Sequence, residues 1–500
     1  MPVRPLSRQQ TWLLPPNLDE LLPADHPARF VAMIVDSLDE TTWQKLSIDL
    51  EGDPLGAPAY HPRAMLGVWL YGFMTGTRTS RKLETACRDQ IPYLWLTGWQ
   101  HPDHNSLWRF YKAHRQEMRH LFQLTVKTAI KLELVDLAVQ AIDGSKVGGN
   151  AASARTYDKE GLEKLLERME RVIAELEKEN EAGSGPAPVH LPEKLRRAEQ
   201  LQREVKTALA VLEAEAGPKK INLTDEETKL MQTRQGVVAG YNLEAVVSPL
   251  KESQVEKPGN LLTAVEVVTA TADNQQLIPM LEQAEENCGQ KADLSLADAG
   301  FHSGKNLAAC EKREQVIVMP EAQEKALKQP YHKDKFSYDI EKDTYQCPYG
   351  QTLKFIKTKL VRQTWMRVYR GSSGVCRKCP AFGECTKNKH HGRELQIGEN
   401  ETALRQHRER MKTPEAKIAY QRRKELIEPT FGIIKEQMGI RHFWLRGLAK
   451  VRMEAMVLAI AFNLRSLSKV WQRHQQKLTQ SGQQWLAAIR LSGQETACCS

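Results

Sequence analysis

Two short apolar runs constrain this chain more than any other feature, because each closes on an aspartate. Leu137–Asp143 (LAVQAID) runs into Gly144, and Leu294–Asp298 (LSLAD) runs into Ala299-Gly300. Apolar runs this short, bounded by small turn residues, read as buried strands meeting turns. Val237–Val247, Leu261–Thr269 and Val316–Met319 are further strand candidates, and Gln275–Glu286 fits a helix. Strands that first follow one another and then alternate with helices predict an α/β fold, a mixed sheet flanked by helices. That unit is expected over residues 136–320 and 415–475.

Two segments interrupt it. Arg155–Lys220 carries 13 basic and 14 acidic residues. Leu162, Leu165, Met169, Val172 and Leu176 recur there at helical spacing, as do Leu195, Ala198, Val205, Leu209 and Leu212 beyond Gly183–Pro192. The pattern predicts a coiled-coil hairpin over 155–220, a spacer or assembly arm. Residues 321–414 hold Cys347, Cys376, Cys379 and Cys385, spaced C-x28-C-x2-C-x5-C. Thiolates bind zinc in fours, so a loop-rich insertion holding Zn2+ is expected, with an iron–sulfur cluster or four unligated thiols as the alternatives.

At 500 residues, 41% hydrophobic and 27% charged, the chain is long enough for several ordinary domains with full cores. Apolar runs such as Ala455–Phe462 are far too short to span a membrane. Met1–Pro16 has no apolar core of a secretory signal, so a cytoplasmic protein with reduced or metal-bound cysteines is expected. Residues 1–135 read as an all-helical domain. Pro62 suits a first helical turn, Ala64–Met74 a helix ending near Gly76, and Ser80 a cap for Arg81–Gln90. This is a helix–turn–helix shape, with Arg78, Arg81, Lys82 and Arg88 as candidate DNA contacts and a packing module as the alternative. Trp69, Trp95, Trp99 and Trp108 are expected in its core, and His101 and His104 as hydrogen-bonded structural residues. The tail, residues 476–500, needs no role.

The acids carry the chemistry. Asp143 and Asp298 at neighbouring strand ends repel each other unless a cation lies between them, and hard oxygen ligands favour Mg2+ or Mn2+. Ordinary turn chemistry is the competing use of both. A third clue is Tyr420–Lys435 (YQRRKELIEPTFGIIK), read as helix with Pro429 marking a kink. Glu428 and Lys435 stand two turns apart and share a face if that helix is continuous. Arg422, Arg423 and Lys424 add positive charge one turn earlier. Asp273, in the turn of Thr269–Asn274, reads as a turn residue, with an acid supporting the site from behind the ligands as the alternative.

These motifs resemble the DDE transposases of bacterial insertion sequences. Pro15–Phe30, His61–Lys82 and Pro102–Phe110 look like the helical N-terminal domain of that group. Ile142–Lys146 (IDGSK) resembles its first-Asp motif, Gly240–Asn242 its second-strand motif, and Ala297–Phe301 (ADAGF) its second-Asp motif. Glu428–Gly432 (EPTFG) with Lys435 resembles its catalytic-Glu motif. The family's signature of Tyr, two residues, Arg, three residues, Glu, six residues and Lys slips by one place here. Measured back from Glu428, Lys424 holds the Arg position, while Arg423 keeps the family spacing to Tyr420. The phosphate role is therefore open between Arg423 and Lys424.

The resemblance implies an RNase H-like catalytic domain in which Asp143, Asp298 and Glu428 hold two Mg2+ (or Mn2+) ions. It implies strand cleavage at element ends and strand transfer into target DNA. Lys435 and Arg422–Lys424 would attend the phosphates, and a homodimer would act on double-stranded terminal inverted repeats and target. A DNA-binding protein derived from a transposase, or a metal-dependent nuclease that does not join strands, are the alternatives. The net charge of +9 supports a polyanion partner through its distribution. Residues 60–131 carry +7, residues 351–395 carry +9 and residues 396–450 carry +5, leaving the rest of the chain about −12. DNA affinity should therefore fall steeply with salt.

Overall fold

The computed structural model describes residues 17–51, 58–182, 193–215, 217–233, 236–251, 259–321, 329–361, 364–388 and 390–477. At its centre is β1 (Gln140–Gly148), flanked by a long antiparallel neighbour and a short parallel one. After the two-residue strands β2 (Thr156–Tyr157) and β3 (Ile221–Asn222), which pair with each other, come β4 (Lys229–Thr233), β5 (Gly236–Pro249) and β6 (Asn260–Val268). Then follow β7 (Leu294–Leu296) and β8 (Val316–Val318). The sheet order is β4-β5-β1-β7-β8, with β6 also on β5. β4, β5, β6 and β1 are mutually antiparallel where they pair, whereas β1, β7 and β8 run parallel. This mixed α/β sheet is RNase H-like.

Side-chain alternation explains how both faces are covered. Ala141, Leu243, Ala245 and Val247 join one core with Leu426, Ile427 and Phe431 of the Pro414–Gly432 helix. Ile142, Val246, Ala264 and Ile317 join a second core with Leu277, Met280 and Leu281 of the Leu277–Cys288 helix. The N-terminal helices share the first core rather than forming one of their own. The Leu448–Lys477 helix joins the two, packing on β6 and on the Pro27–Asp36, Pro62–Thr75 and Met118–Lys131 helices. Its Asn463 side chain accepts from the Leu262 N–H at 2.8 Å and donates to the Leu262 carbonyl at 2.9 Å. The strand's backbone groups are satisfied there by a helix.

The coiled-coil hairpin is present, as Lys159–Ala182 against Glu193–Glu213, with Leu162, Val205 and Ala208 buried between them. The cysteine segment is less loop-rich than expected. It contains a five-stranded antiparallel sheet in the order β13-β12-β11-β10-β9. The strands are β9 (Ser337–Asp339), β10 (Thr344–Gln346), β11 (Thr352–Val361), β12 (Thr364–Gly371) and β13 (Glu394–Gly398). Phe336, Tyr345, Leu353, Tyr369, Leu395 and Ile397 form its small core.

Three local expectations are corrected. The helix after Gly76 begins at Ser80 but is capped by Thr79, whose side chain accepts the Lys82 N–H. Trp69 is buried and stacks on Tyr111, but Trp99 and Trp108 are exposed and belong to no core. Asp143 lies inside β1, not at its end, opposite Ala245. Gly144 serves close approach rather than a turn: a Cβ there would meet the Glu244 carboxylate oxygens at 2.8 and 2.9 Å. The tail's Cys498 and Cys499 lie outside the described residues.

Candidate active site

Asp143 and Asp298 come together at the centre of the sheet because β1 and β7 are adjacent and parallel. Asp298 follows β7 and caps a short turn, its Oδ1 accepting the Gly300 N–H at 2.7 Å. Asp143 Oδ1 accepts the Gly144 N–H at 3.0 Å. Between the aspartates reaches Arg423, from the Pro414–Gly432 helix. Its Nη2 lies 2.8 Å from Asp143 Oδ2 and 3.9 Å from Asp298 Oδ2. The helix is fixed over the sheet by Asn260 on β6, whose Nδ2 donates to the Leu426 carbonyl at 2.8 Å and to Thr430 Oγ1 at 3.1 Å.

Burial pushes the Asp143 carboxyl up to about 6; Arg423 opposes this, and Asp298 and Asp273 add to it. A buried carboxyl with acidic neighbours behaves this way. Of the two cations left open by the sequence, Arg423 reaches the acids, whereas Arg422 and Lys424 are exposed. Lys435 Nζ donates to the Lys146 carbonyl of β1 at 3.3 Å. The α-helix carries Pro429 in its last turn and continues as a π-helical turn, Ile433–Gln437, so the Glu428–Lys435 spacing is not that of a regular α-helix. Glu428 is exposed. Five residues past Arg423, it stands roughly 140° round the helix. Among the described residues, no group of three or more His, Cys, Asp or Glu side chains is arranged to hold a metal ion. The structure thus brings Asp143, Asp298 and Arg423 together and leaves Glu428 outside such a group.

A second cluster lies beside the first, and sequence reasoning missed it. Asp273, read as a turn residue, accepts from Lys146 Nζ at 2.8 Å and from Asn242 Nδ2 at 2.7 Å. Asn242 also donates to Glu244. Glu244 is fully buried, and its Oε2 has no hydrogen-bond partner. Burial, first, and Asp273 raise its carboxyl to about 8, against the pull of Lys146. The missed signal was in β5 itself. Asn242 and Glu244 are two residues apart, hence on one face of an otherwise buried strand.

The four cysteines line one cavity of about 30 Å³, with Pro348, Leu353, Ala381 and Phe382 around them. The Gln351 N–H points to Cys347 Sγ at 3.3 Å and the Arg393 N–H to Cys376 Sγ at 3.5 Å. A Cβ on Gly392 would lie 2.9 Å from Cys376 Sγ, so this wall admits only glycine without a shift. Burial raises the Cys385 thiol, with Arg393 opposing.

The N-terminal basic residues divide. Arg81 and Lys82 are exposed. Arg78 is not a surface residue, and its expected DNA contact is corrected. It pairs with Glu454 at 3.3 Å, both side chains only 4% exposed, and donates to the Gly439 carbonyl at 2.7 Å. His101 and His104 are structural, as expected, bonded to the Cys87 carbonyl and to Glu84.

Residues 346–468 match the family model of the transposase DDE domain, and residues 16–113 match that of the transposase domain DUF772. The first covers most of the cysteine sheet, the Glu428 helix and most of the last helix; the second covers N-terminal helices. No curated protein matches the chain. Fold and matches together support a transposase with a DDE domain. Within that class, the two matches support one of the bacterial insertion-sequence type. No helix among the described residues is long and apolar enough to cross a membrane.

Proposed function

We propose that the protein cleaves DNA strands at the ends of its own element and joins them to target DNA, using Asp143, Asp298 and Glu428. The observation that carries this reading is the meeting of Asp143, on β1, with Asp298, just past the adjacent β7 of an RNase H-like sheet, with the Arg423 guanidinium already between them. Two buried-edge carboxylates that need a positive charge fit Mg2+ or Mn2+. When bound, a pair of such ions supplies activation of the attacking oxygen and stabilisation of the leaving oxygen. Asp143 and Asp298 hold the site from the sheet. Glu428, exposed on the helix, completes the set.

Arg423 and Lys435 orient phosphate oxygens. Arg81, Lys82, Arg422, Lys424 and the lysines of β11 hold the duplex away from the centre. The four cysteines suit Zn2+, since two of their sulfurs receive backbone N–H groups and all line one small cavity. A homodimer on paired ends, acting in the cytoplasm, completes the reading.

The test uses labelled terminal-repeat DNA, a target duplex and Mg2+. Wild-type protein should give cut and joined products. Asp143→Ala and Asp298→Ala should each lower cutting by about a thousandfold while leaving DNA binding within a few-fold. Cut ends without joined product from the wild type would favour the nuclease; full cutting by either variant would remove the acids from the chemistry.

A further inference from the structure

Arg423 differs in kind from its basic neighbours. Arg422 and Lys424 are exposed, whereas the Arg423 side chain is turned inward and only 12% exposed. One of its nitrogens serves both aspartates, at 2.8 and 3.9 Å. Its Nε is buried and has no hydrogen-bond partner, so the guanidinium's fork is only partly used. A guanidinium and a divalent cation relieve the same repulsion between Asp143 and Asp298, and so compete for the same oxygens.

We propose that Arg423 is the internal counter-cation of the unloaded acidic centre: it leaves Asp143 as a divalent cation is taken up, and its freed fork then accepts a phosphate of the DNA. This rests on the reading of Asp143 and Asp298 as metal ligands. Two features support the exchange. The helix beneath Arg423 is pinned by Asn260, so the side chain can move while the backbone stays. A planar guanidinium matches phosphate as well as carboxylate. Metal and DNA binding are then coupled, each tightening the other. In the unloaded state the same pairing offsets the repulsion between the two carboxylates.

The test is Mn2+ binding to the full-length protein without DNA, read from the electron paramagnetic resonance of free Mn2+. Arg423→Gln should bind Mn2+ about tenfold more tightly than wild type, having lost the competing charge. Arg423→Met carries the same expectation if the Gln variant folds poorly. Arg423→Lys keeps the charge and should stay within about threefold of wild type. Lys417→Gln removes an exposed charge from the same helix and should change little, separating contact from net charge. Asp143→Asn should lose Mn2+ binding. Unchanged affinity in Arg423→Gln and Arg423→Met, with binding still lost in Asp143→Asn, would overturn the proposal alone. Retained binding in Asp143→Asn, or no uptake by any form, would overturn the metal-site reading together with it.

Discussion

Arg78 and Arg423 both face a carboxylate, and the sequence assigned both to DNA. The structure uses them in opposite ways. Arg78 is sealed against Glu454 where the N-terminal helices meet the last helix, and it also donates to the Gly439 and His442 carbonyls. Glu454 is itself fixed by the Trp444 and Leu445 N–H groups. Arg423 keeps an unpaired nitrogen, and the aspartates it faces are partly open, 19% and 36% exposed. Glu244 shows a third solution. It is buried beside the centre with one oxygen unpaired, and holds a proton instead of a cation. A closed pair holds the fold together, an open pair is available for exchange, and a protonated acid packs as a neutral group.

The largest expected effect tests the closed pair. Arg78→Ala leaves Glu454 buried without its partner and should cost about 3 kcal/mol of stability in thermal or denaturant unfolding. Arg423→Ala should cost only about 1 kcal/mol, because Asp143 can take water or a proton. Equal losses would erase the distinction. Next comes the change in Mn2+ affinity on removing Arg423, the mark of exchange. The last comparison concerns Glu244. Its carboxyl is raised from 4.5 to about 8 in the folded protein, so folding favours the protonated form. That contribution is complete below about pH 4.5 and is lost as the pH rises through about 8. Glu244→Gln is neutral throughout. Its unfolding temperature should therefore gain on the wild type's between about pH 5 and 8.5, and a constant gap would contradict the buried, protonated acid.

Much of the frame was legible. Short apolar runs located β1, β5, β6, β7 and β8, and heptad-like leucines located the hairpin, since both patterns are local. Asp143 and Asp298 were legible as strand-associated acids, but Asp-Gly is so common in turns that Asp143 was placed at a strand end. The reason for Gly144 lies across the sheet, in Glu244, and no local pattern carries it. Arg78 was misread for the same reason: its partner stands 376 residues away. β9, β10 and β13 were missed because they are short, and β11 because most of its ten residues are exposed and lysines interrupt its apolar pattern. The one-residue slip around Arg423 shows how a side chain's partner is set by helix phase as well as spacing, which only the packed helix over β1 displays.

Glu428 belongs to the proposed three-acid centre yet stands apart from the two aspartates. The direct measurement is cleavage of labelled terminal-repeat DNA in Mg2+ by Glu428→Ala, run beside Asp143→Ala and Asp298→Ala, with DNA binding followed in parallel. All three variants should lose cutting to a similar extent while still binding DNA. Cutting by Glu428→Ala at near the wild-type rate, with both aspartate variants inactive, would contradict this and leave a centre built from the sheet alone.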